Sequence, residues 1–221
     1  MKKWWKYVMM SMAGLLAFTS CGDDEDYFRY GNFMYEMVTY MGVEDGCAVF
    51  TYQAYNDSPL VTLVANNYGE STLKRGQRLL LNYEVAEDFG NHHQVVQVKG
   101  ISRVNTDTIQ VVKASRLETL KMDEVRIKSV WRAGNYLNVR CEVQYTDSPR
   151  LLFLATTGEV NADGVVECYQ IQDLKDGVPY YWLETYFSYY IQPAMDIEGC
   201  EMLKYNVNNE TAKWYEFKIS K

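Results

Sequence analysis

The sequence lacks most of the residue patterns on which known enzyme classes depend. It holds only 2 histidines, which are adjacent, and it contains no G-x-S-x-G, H-E-x-x-H, P-loop or G-x-G-x-x-G motif. No two cysteines form a C-x-x-C pair, so neither a zinc site nor a redox-active dithiol is indicated. We therefore expect a protein that is not an enzyme and that uses no cofactor or metal.

Long apolar runs are also missing. A membrane-spanning helix needs roughly 20 apolar residues, and the apolar stretch near the start of the chain covers only residues 7–18. This stretch follows three lysines and precedes Thr19, Ser20 and Cys21. That order is typical of a secretory signal peptide, which we expect over residues 1–20.

The end of this segment indicates a lipid anchor. Phe18, Thr19, Ser20 and Cys21 resemble the lipobox of bacterial lipoproteins, with Phe18 where leucine is usual. In that pattern the cysteine is acylated with palmitate-like chains and becomes the new N-terminus. Each buried CH₂ contributes about 0.8 kcal/mol, so the chains would hold the protein in a membrane. The alternative is a secreted protein with an ordinary cleavage site.

Residues 21–36 are expected to form a tether that begins with the acylated Cys21 and the acidic run 22–26. Such a run of like charges usually forms a solvated, disordered segment. It also resembles the acidic export signal that sends lipoproteins of some Gram-negative gut anaerobes to the cell surface. The expected location is therefore the outer membrane, with the protein facing the exterior.

The mature chain is strongly acidic. The whole chain has a formal net charge of −7. Removal of the signal peptide removes three lysines and no acid, which leaves 19 basic against 29 acidic residues, a balance of −10. Because binding to nucleic acid needs concentrated lysine and arginine, nucleic acid is not an expected partner.

From about Met37 onward, apolar and polar residues alternate with a period of two, which predicts an all-β protein. The chain has 19 Tyr, 5 Trp and 8 Phe but only 4 Pro, and aromatic residues favour strands. Residues 125–128 and 137–145 predict a hairpin around a turn at 132–135, and only 115–123 suggest a helical turn, as the connection between two halves. Further strands are predicted near 48–55, 60–66, 77–85, 94–104, 108–114, 151–157, 165–172, 181–191, 201–207 and 215–219.

Two stretches, 76–83 and 123–145, resemble the NigD-like lipoproteins. The resemblance covers most of the mature chain. It implies an N-terminal OB-like barrel, here over residues 37–116, and a C-terminal antiparallel β-sandwich over 117–221. The family takes its name from a bacteriocin-immunity protein, and it supplies no catalytic residues to carry over.

Titratable residues do not combine into a convincing site. In an extended segment His92 and His93 point to opposite faces, so they are poorly placed to hold one metal ion. Acidic residues at 84, 87, 88, 173 and 176 are expected to lie in solvated loops and turns. We expect Cys47, Cys141, Cys168 and Cys200 to be buried free thiols, with a Cys168–Cys200 disulfide as the alternative.

The most suggestive segment is 180–191, which is rich in aromatic residues. If it is a strand, one of its faces must enter the core. The other face carries Tyr180, Trp182, Tyr186 and Tyr190 beside polar groups, as a protein-binding or sugar-binding surface would. The alternative is that this face packs under a loop or against the neighbouring domain.

Together these features favour a surface lipoprotein that acts through protein contacts, with bacteriocin immunity as one case. A second hypothesis is a module that binds cell-surface glycans, since OB-type barrels often bind oligosaccharides. Fold alone is only an analogy. The glycan hypothesis predicts an exposed tryptophan whose fluorescence a sugar can quench, with Trp182 as the candidate. The oligomeric state does not follow from the sequence.

Overall fold

A computed structural model describes residues 33–69, 72–209 and 214–218. These residues form fourteen strands and two short helices, so the predicted all-β class is confirmed. The expected signal peptide at 1–20, Cys21 and the first part of the expected tether lie outside the described residues. Among the described residues, no helix has the length and the apolar character needed to cross a membrane.

The first part of the chain closes into a five-stranded barrel. Its strands follow the order β1-β2-β3-β5-β4, with β3 parallel to β5, which is the OB-type arrangement that the resemblance implied. The bounds are β1 Phe33–Glu44, β2 Cys47–Tyr52, β3 Val61–Ala65, β4 Arg78–Asp88 and β5 His93–Arg103.

Alternating apolar residues fill the inside of this barrel. Leu79, Leu81 and Tyr83 of β4 have no exposed surface, and they pack with Phe50 and Leu63 from β2 and β3. The intervening residues of β4 point outward, as the period of two requires. The hydrophobic pattern is therefore what sets the register of this strand.

The second part of the chain is a sandwich of two sheets. One sheet has the order β6-β12-β9-β8 and the other β14-β13-β11-β10-β7. Side chains from both sheets meet in one core, including Val139, Leu154, Phe187 and Tyr205. The bounds are β6 Asn105–Thr108, β7 Gln110–Val111, β8 Val125–Ala133, β9 Tyr136–Tyr145, β10 Leu151–Val160, β11 Val165–Asp173, β12 Tyr181–Tyr190, β13 Met202–Asn206 and β14 Trp214–Lys218.

The sandwich differs from the expected antiparallel one because three of its strand pairs are parallel. These pairs are β6 with β12, β7 with β10, and β11 with β13. The chain leaves the five-stranded sheet after β11, forms β12 in the opposite sheet, and returns as β13. Two crossings bring β13 back in the direction of β11, so the two strands pair in parallel.

The boundary between the two halves lies earlier than residue 116. Strands β6 and β7 fall in the segment expected to complete the barrel, but they pair with strands of the sandwich. At the other end β1 begins at Phe33, inside the expected tether. A barrel closed by five strands has no free edge for β6 or β7, whereas both sandwich sheets offer one.

The expected helical turn at 115–123 is only partly helical, and it does not connect the two halves. Helix α1 spans Ala114–Leu117. The segment packs Leu117, Leu120 and Met122 against the outer side of the five-stranded sheet. Helix α2, Gln192–Met195, follows β12 and begins with a proline in its first turn.

Candidate functional site

The four aromatic residues singled out in the sequence do not form one continuous platform. Trp182, Tyr186 and Tyr190 project from the outer face of the four-stranded sheet, and all three are half-buried. Tyr180 precedes β12, in the loop that enters it, and is 64% exposed. Three different environments along β12 account for this division.

The end of the strand at Tyr190 lies at the junction with the barrel. The rings of Tyr190 and Tyr136 are 5.5 Å apart, and the guanidinium of Arg78 lies 4.4 Å from the centre of the Tyr136 ring. Arg78 belongs to barrel strand β4. This part of the outer face therefore packs against the neighbouring domain, as the alternative interpretation expected.

The middle of the strand carries a network of charged side chains. Arg126 lies 3.9 Å from the centre of the Trp182 ring, and Arg140 donates a hydrogen bond of 2.9 Å to Glu184. The hydrogen bonds from Arg140 and from Tyr186 lower the pKa of Glu184. One face of the Trp182 ring is thus taken by a guanidinium.

The start of the strand contributes to an exposed aromatic cluster at the end of the sandwich, which we call the tip patch. The rings of Tyr145 and Tyr181 stack with centroids 4.9 Å apart, and the backbone N–H of Tyr180 donates to the carbonyl of Tyr145. Tyr181 is 53% exposed and Val178 is 71% exposed. The patch consists of the exposed residues Val178, Tyr180, Tyr181 and Leu183 together with the half-buried Tyr145.

The loops that carry the tip patch are held in place. A Cβ on Gly177 would lie 2.9 Å from the Cβ of Thr146, so the two loops are in close contact. Each loop contains a proline, Pro149 or Pro179, which reduces the freedom of the backbone. A hydrogen bond to Asp147 raises the pKa of the Tyr180 hydroxyl. The aromatic rings therefore project from a pre-organised support.

At the junction of barrel and sandwich, the loop between β2 and β3 packs against the β8–β9 hairpin and forms hydrogen bonds with it. Arg132, 1% exposed, forms an ion pair with Asp57 of this loop. The N–H of Asn56 donates to the carbonyl of Arg132, and the N–H of Gly134 donates to the carbonyl of Asn56. Gly134 has φ +56°, which glycine adopts without strain, and a Cβ there would force the Gln53 side chain to move.

A second buried arginine completes the junction. Arg78 is 5% exposed, and it donates to the side chains of Ser188 at 3.0 Å, Thr39 at 3.1 Å and Asn138 at 3.1 Å. The Ser188 hydroxyl also donates to Asn138, at 2.8 Å. Sequence reasoning missed this residue because Arg78 lies on the outward-facing side of β4, where the alternation predicts contact with water.

A cleft of about 150 Å³ opens beside Arg78, between the two domains. Its walls come from the barrel and from the turn of the β8–β9 hairpin. Apart from Arg78, its lining consists of uncharged residues, among them Thr39, Thr51, Tyr52, Gln53, Asn135 and Tyr136.

The remaining titratable residues stay dispersed. His92 lies in a turn with φ +60°, and His93 begins β5 with its ring 6.1 Å from that of Phe89. Glu84 pairs with Lys99, and Asp88 accepts hydrogen bonds from Gly90 and Gln94. Within the described ranges, no three histidine, cysteine, aspartate or glutamate side chains are grouped so that they could hold a metal ion.

Cys47, Cys141 and Cys168 are free thiols, which agrees with the main expectation and not with a Cys168–Cys200 disulfide. Cys141, Cys168 and Cys200 are buried, whereas Cys47 is only partly so. Burial raises the pKa of Cys141 and of Cys168 to about 12. These two thiols therefore stay protonated and unreactive at neutral pH.

The fold is shared with several solved proteins of Bacteroides species. A protein of unknown function, DUF1344, from Bacteroides vulgatus has a TM-score of 0.66 and 16% identity, over 86% of this chain and 90% of that one. A NigD-like immunity protein from Bacteroides caccae has a TM-score of 0.55 and 18% identity, over 85% and 93%. A predicted lipoprotein from Bacteroides fragilis has a TM-score of 0.60 and 11% identity, over 86% and 99%.

At these identities the likeness establishes the fold. The expected resemblance to NigD-like proteins is therefore confirmed at the level of architecture, in which a barrel precedes a sandwich. No protein-family model matches the chain, and no curated protein matches it in sequence.

Proposed function

We propose that the mature protein is a lipid-anchored, non-enzymatic component of a bacterial cell envelope, which acts by binding another protein. One case is an immunity protein, which captures or blocks a toxic protein near the membrane. The tip patch is the surface that we assign to this contact.

The exposure of the tip patch is the observation that carries the proposal. Tyr180 and Tyr181 are 64% and 53% exposed, although each has a large apolar ring. Clusters of exposed aromatic residues on a soluble surface mark contact sites, and tyrosine is enriched among the residues that dominate binding energy. Rigid loops add affinity because little conformational entropy is lost on binding.

Two of the fold relatives support the same role. One is named as a NigD-like immunity protein and another as a predicted lipoprotein. A lipid anchor at Cys21 would hold the protein at the membrane, near which an immunity protein would meet its toxic partner. The acidic run at 22–26 supports placement on the exterior of the outer membrane.

Site-specific photo-crosslinking on intact cells tests the protein contact. A photo-reactive phenylalanine analogue replaces Tyr180 in one strain and Phe89 in a control strain. Phe89 is 61% exposed and lies on the barrel, so it matches Tyr180 in accessibility. We expect one recurrent protein adduct from position 180 and none from position 89.

Equal adducts at both positions, or no recurrent protein at position 180 despite efficient capture, would contradict the assignment of the tip patch. A companion variant, Tyr181→Ala, removes the ring that stacks on Tyr145. It should reduce the adduct at position 180 if this cluster makes the contact.

The anchor and the location need separate measurements. Cys21→Ala should move the protein from the membrane fraction to the soluble fraction, since no acyl chain can then be attached. Alanine in place of the acids in 23–26 should protect the protein from protease added to intact cells. Unchanged cleavage would refute the role of the acidic run in export.

The glycan-binding hypothesis has weaker support in the geometry. A sugar platform needs a free aromatic face, and the guanidinium of Arg126 occupies one face of Trp182. We therefore expect no quenching of tryptophan fluorescence by a polysaccharide panel. Quenching that is lost in Trp182→Ala would restore the glycan-binding module as the leading hypothesis.

A further inference from the structure

The guanidinium of Arg78 is a buried positive charge without a carboxylate beside it. Its three hydrogen bonds go to the neutral side-chain oxygens of Thr39, Asn138 and Ser188. None of the ion pairs among the described residues includes Arg78. Burial lowers the pKa of Arg78 to about 10, which is the direction for a cation that lacks a counter-ion.

Arg132 at the same junction shows the contrasting arrangement. It is equally buried, but the carboxylate of Asp57 neutralises it. Buried charges in proteins are normally paired, because an unpaired ion loses its hydration without compensation. Of the two arginines that join barrel and sandwich, Arg78 alone has only neutral partners.

The guanidinium of Arg78 also has N–H donors that these three hydrogen bonds do not use. A guanidinium carries five N–H groups, and the three hydrogen bonds use Nε and one hydrogen on each terminal nitrogen. One N–H therefore remains on each of Nη1 and Nη2. An N–H on each terminal nitrogen of a guanidinium can donate to the two oxygens of one carboxylate.

The cleft beside Arg78 is the space into which such a ligand fits. Its volume of about 150 Å³ leaves room for several water molecules or for one small ligand. Among the described residues that line it, Arg78 is the only charged one. Thr51 and Gln53 supply hydrogen-bonding groups on the walls, and Tyr52 supplies an aromatic ring.

We propose that this cleft is a binding site for a small monocarboxylate, whose two oxygens accept hydrogen bonds from the free N–H groups of Arg78. One negative charge balances the one positive charge of the site. A dianion such as phosphate would keep an excess negative charge, because the wall offers no second cation. The site is separate from the tip patch and does not depend on the proposed protein contact.

Titration of the mature chain, with Cys21→Ser to prevent acylation, tests this site. Acetate and benzoate are the probes, and acetamide and benzamide are their neutral matches at the same ionic strength. We expect both carboxylates to shift the Nε–H resonance of Arg78 in ¹H–¹⁵N spectra saturably, and the amides to leave it in place. Equal shifts from the amides, or no shift with either carboxylate, would overturn the proposal.

Two variants separate binding from folding. Carboxylates should raise the thermal unfolding midpoint of the parent protein. Arg78→Lys keeps the charge but loses the paired N–H donors, so carboxylates should not raise the midpoint of this variant. Asn138→Asp places a carboxylate against Arg78 from the side away from the cleft lining and should leave the fold intact. This variant should bind acetate and benzoate with an affinity about tenfold or more lower, since the new carboxylate already balances the charge of Arg78. Unweakened binding to a folded Asn138→Asp variant would overturn the proposal.

The carboxylate could be a free metabolite or the end of a peptide chain. N-acetylglycine and its amide distinguish these sources. Tighter binding of N-acetylglycine than of acetate assigns the cleft to a peptide C-terminus. Equal or weaker binding assigns it to a free small carboxylate. Both results depend on Arg78 and support the site.

Discussion

Replacing Asn138 with aspartate tests whether the junction between barrel and sandwich carries an unbalanced charge. Asn138 has no exposed surface. Its Oδ1 accepts from Arg78 at 3.1 Å and from Ser188 at 2.8 Å, while its Nδ2 has no hydrogen-bond partner among the described residues. Asn138→Asp keeps the shape of the side chain, removes the orphaned donor and adds a negative charge beside Arg78.

The expected effect is a stabilisation, and two opposing contributions set its size. At an effective dielectric constant of about 20, two unit charges about 4 Å apart attract by roughly 4 kcal/mol. Desolvation of the new carboxylate offsets roughly half of this attraction, because Arg78 and Ser188 donate hydrogen bonds to one of its oxygens. The net gain in the free energy of unfolding at pH 7 should be about 1–2 kcal/mol.

The gain should also depend on pH in a defined direction. Arg78 lowers the pKa of the new carboxyl in the folded state below the value of about 3.9 in the unfolded chain. The extra stability is therefore fully present above the unfolded pKa and is lost as the pH falls through the folded pKa. Urea denaturation of both proteins at pH 7 and at lower pH values down to about 3 measures this loss.

Asn209→Asp is the matched control. Asn209 is also buried, and its Nδ2 also lacks a partner, but no cation in the described part of the chain forms an ion pair or hydrogen bond with its side chain. A carboxylate there should destabilise the protein. If Asn138→Asp is less stable than the parent at pH 7, or as destabilised as the control, the reasoning about Arg78 is wrong.

Two further predictions concern the second arginine and the thiols. Asp57→Asn should lower the free energy of unfolding by about 1–2 kcal/mol, because it leaves the Arg132 charge buried while Asp57 itself is half in water; an unchanged urea midpoint would contradict this. In the native Cys21→Ser protein at pH 8, only Cys47 should react with a thiol reagent. Cys141 and Cys168, whose pKa burial raises to about 12, should react only after unfolding; four rapid modifications in the native state would refute the burial of the thiols.

The sequence by itself determined most of the strands and several of the turns, but β1 and β6 were not among the predicted strands. Apolar residues at every second position leave one register in which a half-buried strand hides them all. This is why β9 appears at Tyr136–Tyr145 where the alternation over 137–145 predicted it. The turn that joins β8 to β9 was also predicted, because it contains Gly134, and glycine readily adopts the left-handed φ that this turn has.

The sequence did not predict which strands pair with each other. Residues 108–114 were predicted to form a strand of the barrel, but β7, Gln110–Val111, lies within this segment and pairs with the sandwich. Which sheet it joins depends on which edge is open after the barrel has closed. That is a property of the whole assembly and not of the local pattern.

The candidate sites divide in the same way. Sequence pattern identified the aromatic strand β12, but the tertiary structure decided which rings are covered. It placed Tyr190 against the domain junction and Trp182 under Arg126, and it left Tyr180 exposed. Arg78 shows the limit most clearly. Its position in β4 predicts a solvated arginine, and only the packing of the sandwich on the barrel makes it a buried charge, because burial depends on residues distant in sequence.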